Sequence, residues 1–197
     1  MQTHNYKLSF TAASLSISES VNIAEAYLKC RDWNATKNTI KENNLLQSRT
    51  SSRTIRVARE LIQRLSQLND RQIELLVEGN PAEQKYMLWF AACKTYGFIR
   101  EFAVEVIHNK FLSRSMTVTD LDYDAFFNRK ADWSDDLQQI TTSTRKKIRQ
   151  VVFLMTKEAG LLTDDYMILR AMLSSRLIEA LKSDPTMGFE IFPVASL

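Results

Sequence analysis

Residues 80–97, NPAEQKYMLWFAACKTYG, constrain this chain more than any other stretch. Asn80 supplies an N-cap, Pro81 the fixed φ of a first helical position, and Glu83 the acid of a capping box, so a helix starts here. Over residues 86–92 that helix has no polar face, and a helix without a polar face is buried on every side. Core packing, not a cofactor pocket, accounts for Met87, Trp89 and Phe90. Gly97 reads as the residue that closes the helix. The surrounding shell is expected to be helical too, because only 4 Gly and 3 Pro occur in 197 residues, too few for the turns of a β fold. The predicted fold class is all-α, a compact multi-helix globular protein.

Two segments share a second design. In residues 141–162, TTSTRKKIRQVVFLMTKEAGLL, Ser143 or Thr144 is a natural N-cap and Gly160 a natural stop. Ile148, Val151, Val152, Met155 and Ala159 make one helical stripe, and Arg145, Lys146, Arg149 and Lys157 project from the other side. No acid in the opening turns neutralises the positive end of the helix dipole, as suits a phosphate. In residues 48–71, SRTSSRTIRVARELIQRLSQLNDR, Ser51 and Ser52 are capping candidates. Ile55, Ala58, Ile62 and Leu65 form the stripe there, with Arg53, Arg56 and Arg64 opposite. A single Lys/Arg cluster is usually a solvated face. Two helices of one design make a footprint for a polyanion. The net charge of +3 hides the asymmetry, since residues 48–71 and 141–154 each carry +4 and the remainder −5.

The chain divides into residues 1–18, an irregular N-terminal segment; residues 19–79, an N-terminal helical lobe with the basic helix 52–68; residues 80–115, central buried helices; and residues 116–197, a C-terminal lobe with the basic helix 143–159. Helices over 19–31 and 33–46, the latter capped at Asn34, precede the first basic helix. The second and third, joined by LLQSRTSS, have the outline of a helix-turn-helix, although a plain three-helix unit has the same spacing. Thr119 and Ser134 cap two short acidic helices. The aspartates between them lack the Gly and terminal Glu of a calcium loop, so capping and solubility explain them. Residues 164–183 read either as one or two helices or as a small β wing near 166–169 followed by a helix. The wing would make the second basic helix the recognition element of a winged helix-turn-helix.

Catalytic machinery is missing. There is no GxxxxGK phosphate loop, no GxGxxG, no GxSxG elbow and no HExxH. His4 and His108 are the only histidines, and neither has a nucleophile or an acid at a catalytic spacing; His108 reads as structural or surface. Cys30 and Cys93 stand apart, without a CxxC, so no zinc site or disulfide framework is indicated and a reduced, cytoplasmic setting fits. The longest purely apolar run, residues 87–93, falls far short of the ~20 residues that span a bilayer. No catalytic residue, metal, cofactor, small-molecule substrate or membrane contact is assigned.

Three blocks, DWNATKNTIKENNLLQSRTSSRTIRVARELIQRL, LWFAACKTYGFIREFAVEVI and TTSTRKKIRQVVFLMTKEAGLL, stand in this order, and together they resemble the BrxA family over residues 19–182. The resemblance implies the small all-helical component of bacteriophage exclusion (BREX) systems, NusB-like in fold, encoded beside a DNA methyltransferase and an ATPase, and without catalysis of its own. Carried onto the matching basic positions, it implies Arg49, Arg53, Arg56, Arg145, Lys146, Lys147 and Arg149 as phosphate contacts. Ser51, Ser52, Thr142 and Ser143 add hydroxyl or backbone donors at the helix starts. The expected partner is double-stranded DNA, followed by other components of the same defence system. RNA binding, suggested by the NusB likeness, is disfavoured because only Phe153 in the basic stretches is available to stack on a base. A protein adaptor whose basic faces dock acidic partners is the other alternative.

Overall fold

The computed structural model describes residues 5–42 and 51–195, with the side chains of residues 41–54 outside that description. Its helices are α1 (Ile17–Cys30), α2 (Trp33–Glu42), α3 (Ser51–Leu65), α4 (Asp70–Glu78), α5 (Pro81–Thr95), α6 (Gly97–Phe102), α7 (Asn109–Leu112), α8 (Asp120–Ala131), α9 (Asp135–Gln138), α10 (Thr142–Glu158) and α11 (Ser175–Lys182). A π-helical turn, Ala103–His108, joins α6 to α7.

The α5 helix is the hub. It packs against α1, α3, α4, α6 and α10, and Met87, Trp89, Phe90, Ala91, Ala92 and Cys93 are each at most 1% exposed. Its start is the predicted one: the Asn80 side chain accepts from the N–H groups of Ala82 and Glu83, and the Glu83 carboxylate accepts from the Asn80 N–H at 2.9 Å. Its end differs from expectation. The helix breaks at Tyr96, in extended conformation, and Gly97 opens α6 instead of closing α5. The break is anchored by the buried Tyr96 hydroxyl, which donates to Glu60. The indole of Trp89 donates to the Ile191 carbonyl at 2.9 Å, tying the C-terminal tail to the hub. His108 is structural, its Nδ1 lying 2.8 Å from the Phe192 carbonyl oxygen.

The N-terminal segment is more ordered than its polarity suggested. Ser9–Ala12 form a 3-10 turn, and Phe10 and Leu15 are buried in the common core, which runs from Phe10 to Val194. Arg64 is the reason. It does not share the solvated face of α3: it is buried and donates to the carbonyls of Phe10, Ala13 and Ser14 and to the Tyr96 hydroxyl. Ile55 is correspondingly 44% exposed, off the core stripe it was assigned to. The α2 helix opens with Asp32, not Asn34, as its cap, Oδ1 accepting from the Ala35 N–H at 2.6 Å. The α2–α3 connection of the expected helix-turn-helix lies outside the described residues.

Residues 166–169 do not form a wing. They contribute to two isolated antiparallel bridges, Thr117 with Met167 and Leu162 with Ile168, and no sheet occurs among the described residues. Tyr166 sits in the left-handed region at φ +59°, closing a turn directly before the pairing and keeping it short. Beyond it come the α-helix Ser175–Lys182, capped by the Ser174 hydroxyl, and a 3-10 turn at Phe189–Ile191.

Two predictions follow from this packing. Trp89→Ala lowers stability by about 3–5 kcal/mol in urea denaturation, since it opens a cavity at the hub and orphans the Ile191 carbonyl; a near-neutral result would place the core elsewhere. Glu83 titrates below the usual carboxylate range, chiefly because the Ser174 hydroxyl donates to it at 2.5 Å, with burial opposing and the Asn80 N–H adding. A lowered folded value means the stabilisation is present at neutral pH and is lost as pH falls below the ordinary glutamate value and through the lowered folded one. Glu83→Gln therefore costs about 1 kcal/mol at pH 7 and progressively less in melts at lower pH.

Candidate nucleic-acid interface

The Thr141 backbone is extended and its hydroxyl accepts from the Thr144 N–H at 3.2 Å, so α10 is capped two residues before the first expected position. The Ser143 and Thr144 hydroxyls each lie 2.9 Å from that of Thr141. No acid occupies the first turn. Ile148, Val151, Val152, Phe153, Met155 and Thr156 hold the inner face in the core, and Gly160, at φ +73°, turns the chain out of the helix.

The opposite wall is α8. Its acids divide by role. Asp122 closes a capping box with Thr119 and pairs with Lys110 at 2.9 Å. Burial pushes its carboxyl up, but the Thr119 N–H and hydroxyl and the Lys110 ammonium outweigh that and hold it below the usual range. Asp120 and Asp124, one turn apart, face α10 instead: Asp124 Oδ1 accepts from Arg145 Nη2 at 2.7 Å, and Asp120 Oδ2 lies 2.9 Å from Arg149 Nη1. Because i and i+4 share a helix face, the crossed order of these pairs means that α8 and α10 run antiparallel at the contact. The Arg145 guanidinium also lies 4.4 Å from the centre of the Phe127 ring.

Between the helices lies a pocket of about 340 Å³ lined by Tyr123, Asp124, Thr142, Arg145, Lys146 and Arg149. Thus four of the predicted residues, Thr142, Arg145, Lys146 and Arg149, come together. Ser143 and Lys147 are exposed beside the pocket without lining it. Lys146 and Lys147 make no ion pair with any described residue, whereas Arg145 and Arg149 are half-neutralised by α8. On α3, Arg56 is exposed and likewise unpaired among the described residues. Ser51, Ser52 and Arg53 belong to the first turn of α3, their side chains outside the described set, and Arg49 lies outside the described residues altogether. Both basic helices pack on the Ser9–Ala12 turn and on α5, which is what relates them in space. Phe153 is buried and is no stacking platform.

Sequence reasoning missed Asp120, Tyr123 and Asp124. The signal was there in the matched spacing, aspartates four apart on one helix and arginines four apart on another, but only packing pairs them. Among the described residues, no group of three or more His, Cys, Asp or Glu is placed to hold a metal, and no helix is long and apolar enough to cross a membrane.

The fold and cleft define a class: an all-α protein with a cationic interhelical pocket at the start of a long helix. The BrxA family model matches residues 4–184, and the chain belongs to the BrxA family. A "BREX protein BrxA" of Bacillus cereus (strain H3081.97) is 29% identical over 132 residues, covering 67% of this chain and 66% of that protein, so the match spans just under two thirds of the relative's length. An uncharacterized protein from Magnetospirillum magneticum, known from its crystal structure, shares the fold with a TM-score of 0.79 at 21% identity, over 91% of this chain and 93% of that one.

The Asp124–Arg145 pair is partly exposed, with side-chain exposures of 40% and 30%, so solvent screens it. Asp124→Asn is expected to change stability by no more than about 1 kcal/mol in urea denaturation.

Proposed function

We propose that this protein is a non-enzymatic, double-stranded-DNA-binding accessory component of a BREX phage-defence system, acting in the cytoplasm beside the system's other proteins. Family membership supports the setting. The single observation that carries the DNA reading is the opening of α10, where four cations occupy two turns without an acid and Lys146 and Lys147 stand exposed and unpaired among the described residues. The mechanism is electrostatic: Lys146, Lys147, Arg56 and the free edges of Arg145 and Arg149 meet backbone phosphates, releasing counterions. Duplex is favoured over single-stranded RNA because Phe153 is buried and Tyr166, 38% exposed, already carries the Lys157 ammonium, whose Nζ lies 4.1 Å from the ring centre.

A second reading has its own support. Leu154, Met167, Leu169 and Met172 are 41–73% exposed, a set of apolar side chains that suits a protein partner from the same system.

Salt-dependent titration of duplex DNA separates the two. Lys146→Gln with Lys147→Gln weakens duplex binding and reduces the log–log salt slope by about 2. Asp120→Asn with Asp124→Asn, which removes anionic charge from the opposite wall, tightens it. Absence of duplex binding at low salt would sink the DNA reading and leave the adaptor.

A further inference from the structure

Tyr123 is fully buried, with its ring packed among Phe98, Phe102, Phe127 and Phe153, yet its hydroxyl has no hydrogen-bond partner. Buried tyrosine hydroxyls ordinarily find one, and leaving one unpaired opposes folding. Such a group needs an explanation. Tyr123 lines the interhelical pocket, and the charges that act on its phenol are Arg145, Asp124 and Arg149, the wall of that same pocket. Burial holds the phenol above the ordinary tyrosine value, so it stays protonated and is a donor.

The other groups around it are donors as well. Arg145 uses one terminal nitrogen on Asp124, and Arg149 one on Asp120, which leaves each guanidinium with unused N–H groups. Lys146 has no carboxylate partner among the described residues. The Thr141 hydroxyl and carbonyl accept from the N–H groups of Thr144 and Arg145, so the first two helical N–H groups, on Thr142 and Ser143, remain without an acceptor among the described residues. The one carboxylate in the lining, Asp124, already receives Arg145. Three cations, an orphan phenol and two open amides around a single engaged carboxylate match an anion that brings several acceptor oxygens and no donor of its own.

We propose that the pocket between α8 and α10 is a discrete phosphate-binding site, in which the Tyr123 hydroxyl, Arg145, Lys146, Arg149 and the opening N–H groups of α10 hold one phosphate group. The proposal rests on the DNA reading only for the source of that group, a backbone phosphodiester; free phosphate carries the same chemistry. The orphan hydroxyl makes this site more than a basic surface, because it gives a buried neutral group a defined role in a bound state.

The test is Tyr123→Phe in the full chain, which removes only the oxygen, read by calorimetric titration with inorganic phosphate and, separately, with a DNA duplex. Inorganic phosphate is expected to bind the wild-type protein and to bind the variant roughly tenfold more weakly, the loss of one hydrogen bond to a charged acceptor. The variant's melting temperature should be unchanged or higher, since the hydroxyl has no partner to lose. Lys146→Gln should weaken phosphate as well, and Lys182→Gln, at an exposed lysine ending α11, should not. Failure of phosphate to bind the wild type, unchanged affinity in Tyr123→Phe, or a fall in that variant's melting temperature overturns the site; the last result would mean that water already satisfies the hydroxyl. The duplex titration reports on the other reading independently. Duplex binding without phosphate binding overturns the pocket and leaves the DNA reading standing. Phosphate binding without duplex binding supports the pocket with free phosphate as its ligand and overturns the DNA reading. Parallel losses in both titrations make a backbone phosphodiester the occupant.

Discussion

Burial of residues 86–93 of α5 on every side is the constraint on which the rest of the structure depends. A helix with Met87, Leu88, Trp89, Phe90, Ala91, Ala92 and Cys93 in sequence has no side to give to water, so it must be enclosed by other elements. Five helices meet it, and the C-terminal tail closes the remaining side by accepting the Trp89 indole N–H at Ile191. Apolar area dominates the stability of such a hub, but its polar ends set the register. The capping box of Asn80 and Glu83 fixes one end, and Tyr96, held by Glu60 and Arg64, fixes the other.

That second anchor also explains the N-terminal segment. Burying Arg64 is costly unless its charge and its donors are matched. Three backbone carbonyls from residues 10, 13 and 14, the Tyr96 hydroxyl and the neighbouring Glu60 supply the match. The segment is thus folded onto α3 through main-chain oxygens, which any sequence provides, while Phe10 and Leu15 fill the core beneath. The Glu158 carboxylate extends the same tie to α10 by accepting the Leu15 N–H at 2.7 Å. The N-terminal segment therefore bridges the two basic helices.

The α8–α10 pairing sets the character of the cleft. Two arginines that a bare basic helix would present to solvent are drawn against Asp120 and Asp124, which fixes their guanidinium groups and lowers the local positive charge. Lys146 and Lys147 keep theirs exposed. A surface of this kind combines oriented, partly neutralised forks with free point charges, and the two respond differently to mutation: the forks through geometry, the lysines through salt-dependent charge.

Local signals in the sequence determined the helices and the hub. The all-α class, the α5 start at Asn80, the Thr119 cap, the Gly160 stop and the inner stripe of α10 all rest on interactions within a few residues, so their spacing is readable without a fold. The family resemblance was equally a property of the linear blocks. Tertiary structure alone decided which charges remain free. Arg64 and Arg56 lie eight residues apart on one helix and look alike as text, yet one is buried against carbonyls more than 50 positions away, at Phe10 and Ala13, and the other faces solvent. The β-prone run at 166–169 pairs only through single bridges, Met167 with Thr117 and Ile168 with Leu162, segments that packing and not local sequence sets beside it. Asp124 and Tyr123 joined the pocket for the same reason: the electrostatics and hydrogen bonding of a side chain depend on neighbours brought by packing, and no local periodicity encodes them.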